Sequence, residues 1–447
     1  MGKVLKNSWA LFAGIGIIML ANGLQGNLMG VRSVIENFSA LSTGILMSGY
    51  FVGYFVGSNL TPTLVSRVGH IRVFAAFAST ASLSILIIAT YVNPVVWTLG
   101  RFLTGLSLVS CYIVAESWLN DRANNRTRGK LLSIYMIINY FGLAFGALLL
   151  NFDDPQSYKP FILVSILLSV ALIPILLTKR PAPKFKKIGT LNLKELYNIS
   201  PLGTVSSFCT GAIYSALFAM FAVYATKVNF TLFEISLLLF LTTITGAFFQ
   251  GPVGYLSDKF NRRIVIILCA LSGGLLCLLL IVVAGDKLSN INALHELLNV
   301  NILQSFKLIT YAGKNKLYFF IIITIYTGIT LCIFSLNLAH TNDFVPKEKF
   351  VAAGGGLQFV FGLGAMGGPF LCSIAMDKLG PNGYFIYLFV FHVIIVLFGL
   401  YRMAVRKVAE NPDNTFTSLP RNITPAGIEL DPDTGVDLSN NEKVVAN

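Results

Sequence analysis

Arg101 and Glu116 are the two ionisable residues inside an otherwise uncharged stretch, 95–118, that reads as one helix. Fifteen residues at a rise of 1.5 Å separate them by about 22 Å, so they cannot pair with each other. An Arg within a membrane helix costs about 2.5 to 3.5 kcal/mol, so Arg101 needs a partner or a watery cavity. It could bind an anionic or polar solute or couple to protons, or it could pair structurally with carbonyls or with Ser and Tyr groups. A second constellation is Gly254-x-x-x-Asp258-Lys259-x-Asn261-Arg262-Arg263, one acid among three bases between two long apolar runs. That acid either neutralises Arg262 at a solvated helix end or meets a positive partner elsewhere in the fold.

Glu116, near the end of its helix, is expected to be a gate partner for Arg122 or Arg128, and His340 with Asp343 a second polar gate cluster. Capping of helix ends at the surface is the plainer reading of both. Polar groups that could line a cavity are Asn22, Gln25, Tyr50, Tyr54, Asn139, Tyr140, Tyr214, Gln250, Tyr326 and Gln358. Asn22 and Gln25 share a helix face, as do Tyr50 and Tyr54. Such residues also link helices within bundles; together they point to an uncharged or weakly anionic, partly aromatic-lined site. The six cysteines (Cys111, Cys209, Cys269, Cys277, Cys332 and Cys372) fall in apolar runs without CxxC or ligand spacing and read as small buried hydrophobes. No metal cluster, nucleophile with a base, or phosphate loop is visible. No cofactor and no enzymatic activity are expected.

These residues sit in a chain of 447 residues that is 55% hydrophobic and 12% charged, against roughly 25% charged in soluble domains. Segments such as 73–92, 161–178 and 317–338 hold no ionisable Asp, Glu, Lys, Arg or His, and each matches the roughly 20 residues of a membrane-crossing helix. Continuous apolar runs exclude a β-barrel, whose strands alternate. Twelve spans follow, near 9–30, 43–65, 72–92, 95–118, 130–150, 160–178, 203–226, 233–256, 264–284, 317–339, 351–375 and 384–403. The N-terminal run is read as the first permanent span rather than a cleaved signal. With the N-terminus in the cytoplasm, 24 of the 33 Lys and Arg residues fall on the cytoplasmic side and 8 on the other, with Arg101 inside. The net charge of +13 therefore reports membrane orientation rather than a nucleic-acid partner.

The expected fold is all-α, with twelve transmembrane helices in two pseudo-symmetric six-helix bundles. The bundles are 1–178 and 203–404, joined by a basic, Pro-containing cytoplasmic linker, 179–202, with a short amphipathic stretch at 191–197. The segment from Arg67 to Val73 repeats at an offset of 192 as Lys259 to Val265, and Phe141-Gly-Leu-Ala-Phe-Gly146 echoes Phe361-Gly-Leu-Gly-Ala-Met-Gly367. Duplicated six-helix units with a site between them characterise secondary transporters. The outer loop insertion 285–316 carries Ile291, Leu294, Leu297, Leu298 and Ile302 at near-helical spacing, which predicts an amphipathic helix, the alternative being a loosely ordered insertion. The polar segment 405–447 is expected to be a disordered cytoplasmic tail.

The stretch from Gly254 to Arg263 resembles the signature loop of the major facilitator superfamily, with Asn261 in place of its second Gly, and Arg101-x-x-x-Gly105 resembles that superfamily's second motif. Ala115-Glu-Ser-Trp-Leu-Asn-Asp121, Arg128-Gly-Lys-Leu-Leu-Ser-Ile-Tyr135, Ala339-His-Thr-Asn-Asp343 and Gly362-Leu-Gly-Ala-Met-Gly-Gly-Pro369 are similar to the YcaD-like branch. The resemblance implies that Asp258, flanked by Lys259, Arg262 and Arg263, crosses between the halves to the start of span five, where Arg126, Arg128 and Lys130 stand. A carboxylate at a helix N-terminus contributes about 0.3 to 2 kcal/mol. In the first-half copy Ser66 replaces the acid and His70 an Arg, so the latch is expected to be one-sided.

The expected function is secondary active transport of a small organic solute by alternating access, driven by protons, with uptake and efflux equally open. Uniport is the near alternative, and a non-transporting membrane receptor or scaffold is the reading from another class. The expected partners are the lipid bilayer, a small-molecule substrate and protons, with no nucleic acid; the chain is expected to be a monomer. The expected location is the bacterial cytoplasmic membrane, with both termini in the cytoplasm.

Overall fold

A computed structural model describes residues 2–124, 127–177, 191–284, 314–405, 416–420 and 423–431. Among these, twelve helices are long and apolar enough to cross a membrane. Spans one to six are Ser8–Ile35, Ala40–Val68, His70–Thr90, Pro94–Arg122, Arg128–Asn151 and Lys159–Leu176. Spans seven to twelve are Pro201–Ala219, Leu232–Lys259, Arg262–Val283, Lys316–Asn342, Lys347–Leu379 and Gly383–Val405. The stretch 203–226, expected as one run, breaks at Met220, after which Phe221–Lys227 forms a separate helix.

Local chemistry sets several of these ends. Span four opens on Pro94, and Asn93 Oδ1 accepts from Val95 N at 2.8 Å, the pairing of a cap with a pre-set first turn. Span eight opens with a capping box between Thr231 and Glu234. The same Glu234 is buried and pairs with Lys316 of span ten at 2.8 Å. Between spans two and three the chain turns on Gly69 with φ of 89°, a conformation glycine adopts without steric cost. The matching turn of the second half uses Asn261 instead, whose Oδ1 accepts from Arg263 N at 3.1 Å and caps span nine. That cap explains how Asn replaces the second Gly of the loop.

The two halves repeat one packing plan. Span one packs on five, two on four and three on six; span seven packs on eleven, eight on ten and nine on twelve. Across the divide, span two meets eleven and span five meets eight, a symmetric pair of contacts. Close approach of spans two and four depends on small residues. A Cβ at Gly53 would collide with the Phe102 carbonyl, and one at Gly105 with the Tyr50 carbonyl. Arg101, one turn from Gly105, is thereby brought against span two.

One end of the bundle, the basic end, carries Arg67, Arg72, Arg128 and Lys259. At the far end the halves are in contact: Phe370 N donates to Ser48 Oγ at 3.2 Å, and Asn151 Nδ2 donates to Ser236 Oγ at 2.6 Å. Gly30 of span one abuts Ala222 beyond span seven, and the Phe145 and Phe240 rings sit 5.4 Å apart.

Two connecting regions bear on the site. In the linker, the amphipathic stretch forms a helix, Leu193–Ile199, with Leu196 buried near Gly356 of span eleven. Of the outer loop insertion, 285–313 lies outside the described residues, and Lys314–Asn342 is already the helix of span ten. The expectation of a disordered tail fails at 416–420 and 423–431, which stand between the halves at the basic end. Leu419, Ile423, Ile428 and Leu430 are buried there, and removing such side chains from water offsets the entropy of ordering a short segment.

Candidate functional site

A cavity of about 350 Å³ lies between the two halves, lined from spans one, two, four, five, seven, eight and eleven. Its size suits a small organic molecule. One wall is built by span two, where Tyr50, Tyr54 and Ser58 recur every fourth residue and so share a face. The Tyr50 and Tyr54 rings are 6.2 Å apart, and Tyr54 lies 6.4 Å from Tyr112 of span four. Asn22 of span one donates to the Tyr112 hydroxyl at 3.2 Å. The opposite wall holds Tyr214, packed 5.4 Å from Phe361, together with Phe218 and Gln358.

Arg101 alone among the lining residues carries a formal charge. Its guanidinium carbon lies 4.6 Å from the centre of the Tyr50 ring, an arrangement stabilised by the ring quadrupole. The residue is only 3% exposed, and its Nε and Nη1 find no hydrogen-bond partner among the described residues. An unmatched buried donor is costly. The arrangement therefore presents a desolvated cation with unused donors to whatever enters.

Of the expected cavity residues, Asn22, Tyr50, Tyr54, Arg101, Tyr214 and Gln358 are brought together on the wall. Five others are buried away from it. Gln25 donates to Thr104 Oγ1 at 3.2 Å, Asn139 to the Tyr135 carbonyl at 2.7 Å, and Gln250 to the Leu331 carbonyl at 3.4 Å. Tyr326 packs 5.6 Å from the His392 ring, and Tyr140 is buried in the core. Gln25, Asn139 and Gln250 thus link between or within helices. Asn27, Ser58, Asn59 and Thr243 line the cavity and were not expected to; the four-residue period from Tyr50 through Ser58 was the available signal for one of them.

At the basic end the expected pairings are replaced by others. Glu116 meets neither Arg122 nor Arg128: its carboxylate accepts from the Tyr135 hydroxyl at 2.8 Å and from Thr424 N at 3.2 Å, and also from the Thr424 hydroxyl. Span five supplies the first of these donors and the tail the other two, the tail packing against spans four and eleven. Among the described residues, Asp258 makes its hydrogen bonds away from the start of span five. Its Oδ1 accepts from Arg262 Nη2 at 3.0 Å, one turn on, and from Phe416 N at 2.9 Å. Arg262 also binds Asp343, which ties the end of span ten to the loop of spans eight and nine.

The remaining gate candidates surround these contacts. His340 stacks edge-on to Phe344 at 5.2 Å, with Arg263 over the same ring at 5.6 Å. Lys259 lies 5.9 Å from the Tyr255 and Phe260 rings. Arg128 lies within electrostatic reach of Glu429 and Asp431 of the tail, Lys130 is exposed, and Arg126 lies outside the described residues. In the first half, Ser66 donates to the Thr63 carbonyl at 2.8 Å, and a ring nitrogen of His70 lies 3.0 Å from Ser117 Oγ. Both are neutral contacts.

A family model described as Major Facilitator Superfamily matches residues 11–306 and 203–430. An uncharacterised MFS-type transporter YcaD of Escherichia fergusonii is 23% identical over 378 residues, spanning 84% of this chain and 90% of that protein. YcaD of Escherichia coli O6:K15:H31 is 25% identical over 263 residues, 57% of this chain and 68% of that protein. Among solved structures, a point mutant of the nucleoside transporter NupG superposes with a TM-score of 0.70 at 12% identity, covering 89% of this chain and 100% of that one. A second NupG structure gives 0.66 at 13% identity over 90% and 99%.

Proposed function

The chain belongs to the Major Facilitator Superfamily, as a membrane transporter of its YcaD-like branch, and from that premise we propose that it moves a small, partly aromatic organic anion by alternating access. The observation that carries this reading is the buried Arg101 guanidinium, with two nitrogens unmatched, in the wall of a cavity between the halves. A carboxylate on the solute would supply the missing acceptors, and such charge-assisted bonds are about twice as strong as neutral ones. Tyr50, Tyr54, Tyr214 and Phe361 would flank an aromatic or apolar body.

The cycle is proton-coupled in this reading. Glu116 is buried and held by Tyr135 and Thr424, all neutral donors. A carboxylate in such a setting changes its proton affinity when its donors move. The basic end faces the cytoplasm by its excess of Lys and Arg, with both termini on that side of a bacterial inner membrane, and the chain works as a monomer. The end at which the halves stand apart then faces inward, with the tail residues Thr424, Pro425 and Ala426 across the cavity on that side.

Flux into proteoliposomes, with and without an imposed pH gradient, tests the reading. Aromatic monocarboxylates should be carried and should accumulate with the gradient, whose sign separates uptake from efflux. Flux indifferent to the gradient would make the protein a uniporter. No flux for any of a panel of carboxylates and neutral nucleosides would favour a receptor or scaffold instead.

A further inference from the structure

We propose that the tail residues 416–420 and 423–431 form a reversible plug, a part of the chain that closes its own cavity at the basic end and holds that end apart. The segment is tied to both halves. Toward the first half, Thr424 N donates to Glu116 at 3.2 Å, and Asn120 Nδ2 donates to the Ala426 carbonyl and to Glu429 Oε2 at 3.1 Å. Toward the second half, Phe416 N donates to Asp258 at 2.9 Å, and the Phe416 ring covers Gly254. Ile428 and Leu338 both lie against Gly354 of span eleven.

The segment is built to seat as a unit. The Thr417 hydroxyl donates to Asp431 at 2.8 Å and closes the stretch into a loop around the single helical turn Pro425–Ile428. Thr424, Pro425 and Ala426 form part of the cavity wall itself. A solute entering from the basic end must displace them. The same residues fill the space that spans four, eight and eleven must give up if this end is to close, so a seated plug opposes both entry and the conformational change.

Its polar ties include those to Glu116, Asn120 and Asp258, and Glu429 and Asp431 lie within electrostatic reach of Arg128. Water can replace the part-buried and exposed bonds to Asn120 and Asp258 at small net cost, whereas release of Thr424 requires water to reach the buried Glu116 carboxylate. The apolar anchor is correspondingly short, so release does not require unfolding of any span.

The inference rests on the cavity being a solute path, but its test does not require transport. Gly26 lines the cavity, and a side chain added there points into open space. A Gly26→Cys reporter in the full-length chain can be labelled with an impermeant maleimide in membrane vesicles of either orientation, the six native cysteines being buried. From the basic-end face, Ile428→Asp should raise the labelling rate by about tenfold or more, and Thr424→Val should raise it less. Oxidising an Asn120→Cys, Ala426→Cys pair should form a disulfide that slows labelling, and reduction should restore the rate. Equal rates in the parent and both tail variants, or failure of the pair to cross-link, would overturn the proposal. A chain that carries no tested solute but shows the labelling change would refute the transport reading and leave the plug standing.

Discussion

The Arg101 guanidinium sits 4.6 Å over the Tyr50 ring, between span four and span two, with its Nε and Nη1 unmatched. Two glycine contacts permit that approach, since side chains at Gly53 and Gly105 would each collide with a carbonyl of the opposing helix. The position of Arg101 over Tyr50 thus depends on backbone proximity set several residues away.

Replacing Tyr50 by Leu removes the ring while keeping an apolar contact. A desolvated cation over an aromatic face is worth about 0.5 to 2 kcal/mol. Affinity for an anionic solute should fall, because Arg101 loses its orientation, and binding titrations on Tyr50→Leu against Tyr50→Phe should separate the ring from the hydroxyl.

Gly105→Ala should destabilise the protein by about 1 to 3 kcal/mol through overpacking. Gly26→Ala, where an added Cβ meets nothing within 4 Å, should leave the melting temperature unchanged. Thermal unfolding of the purified variants in detergent distinguishes the two.

Much of this arrangement could be read from the residues themselves. Long runs with few or no charges located the spans, and the repeat between 67–73 and 259–265 anticipated the two-fold plan in which spans two and eleven pair as five and eight do. Polarity alone did not tell a cavity wall from a helix contact. Gln25 and Asn22 lie on adjacent parts of one face, yet Gln25 is consumed by Thr104 while Asn22 reaches the cavity. The tail escaped detection because Leu419, Ile423, Ile428 and Leu430 are too sparse to form a periodic pattern. They matter only once a groove exists to receive them.

Arg262 and Asp258 should differ sharply on substitution. Arg262 has a side chain 4% exposed and binds Asp343, itself 8% exposed, whereas the Asp258 carboxylate is 40% exposed. Removing one partner of a buried pair costs about 3 to 5 kcal/mol, while an exposed pair is worth about 1 kcal/mol or less. Arg262→Met should therefore unfold far more readily than Asp258→Asn.

The buried pair between Glu234 and Lys316 predicts a similar loss at the far end, where spans eight and ten meet at 2.8 Å. Glu234 also caps span eight, so Glu234→Ala should cost more than Lys316→Met, by the roughly 1 kcal/mol of a lost cap. Melting of both variants, side by side, measures the difference.

Selection of an anionic solute by Arg101 is the central claim. It is tested most directly by flux of a matched pair, an aromatic monocarboxylate and its neutral amide, through the native protein and Arg101→Gln in proteoliposomes. Native protein should carry the acid at least about tenfold faster than the amide, the equivalent of one charge-assisted contact of about 1.4 kcal/mol, and Arg101→Gln should abolish that preference. Equal handling of acid and amide by the native protein, or a preference that survives in Arg101→Gln, would contradict the account.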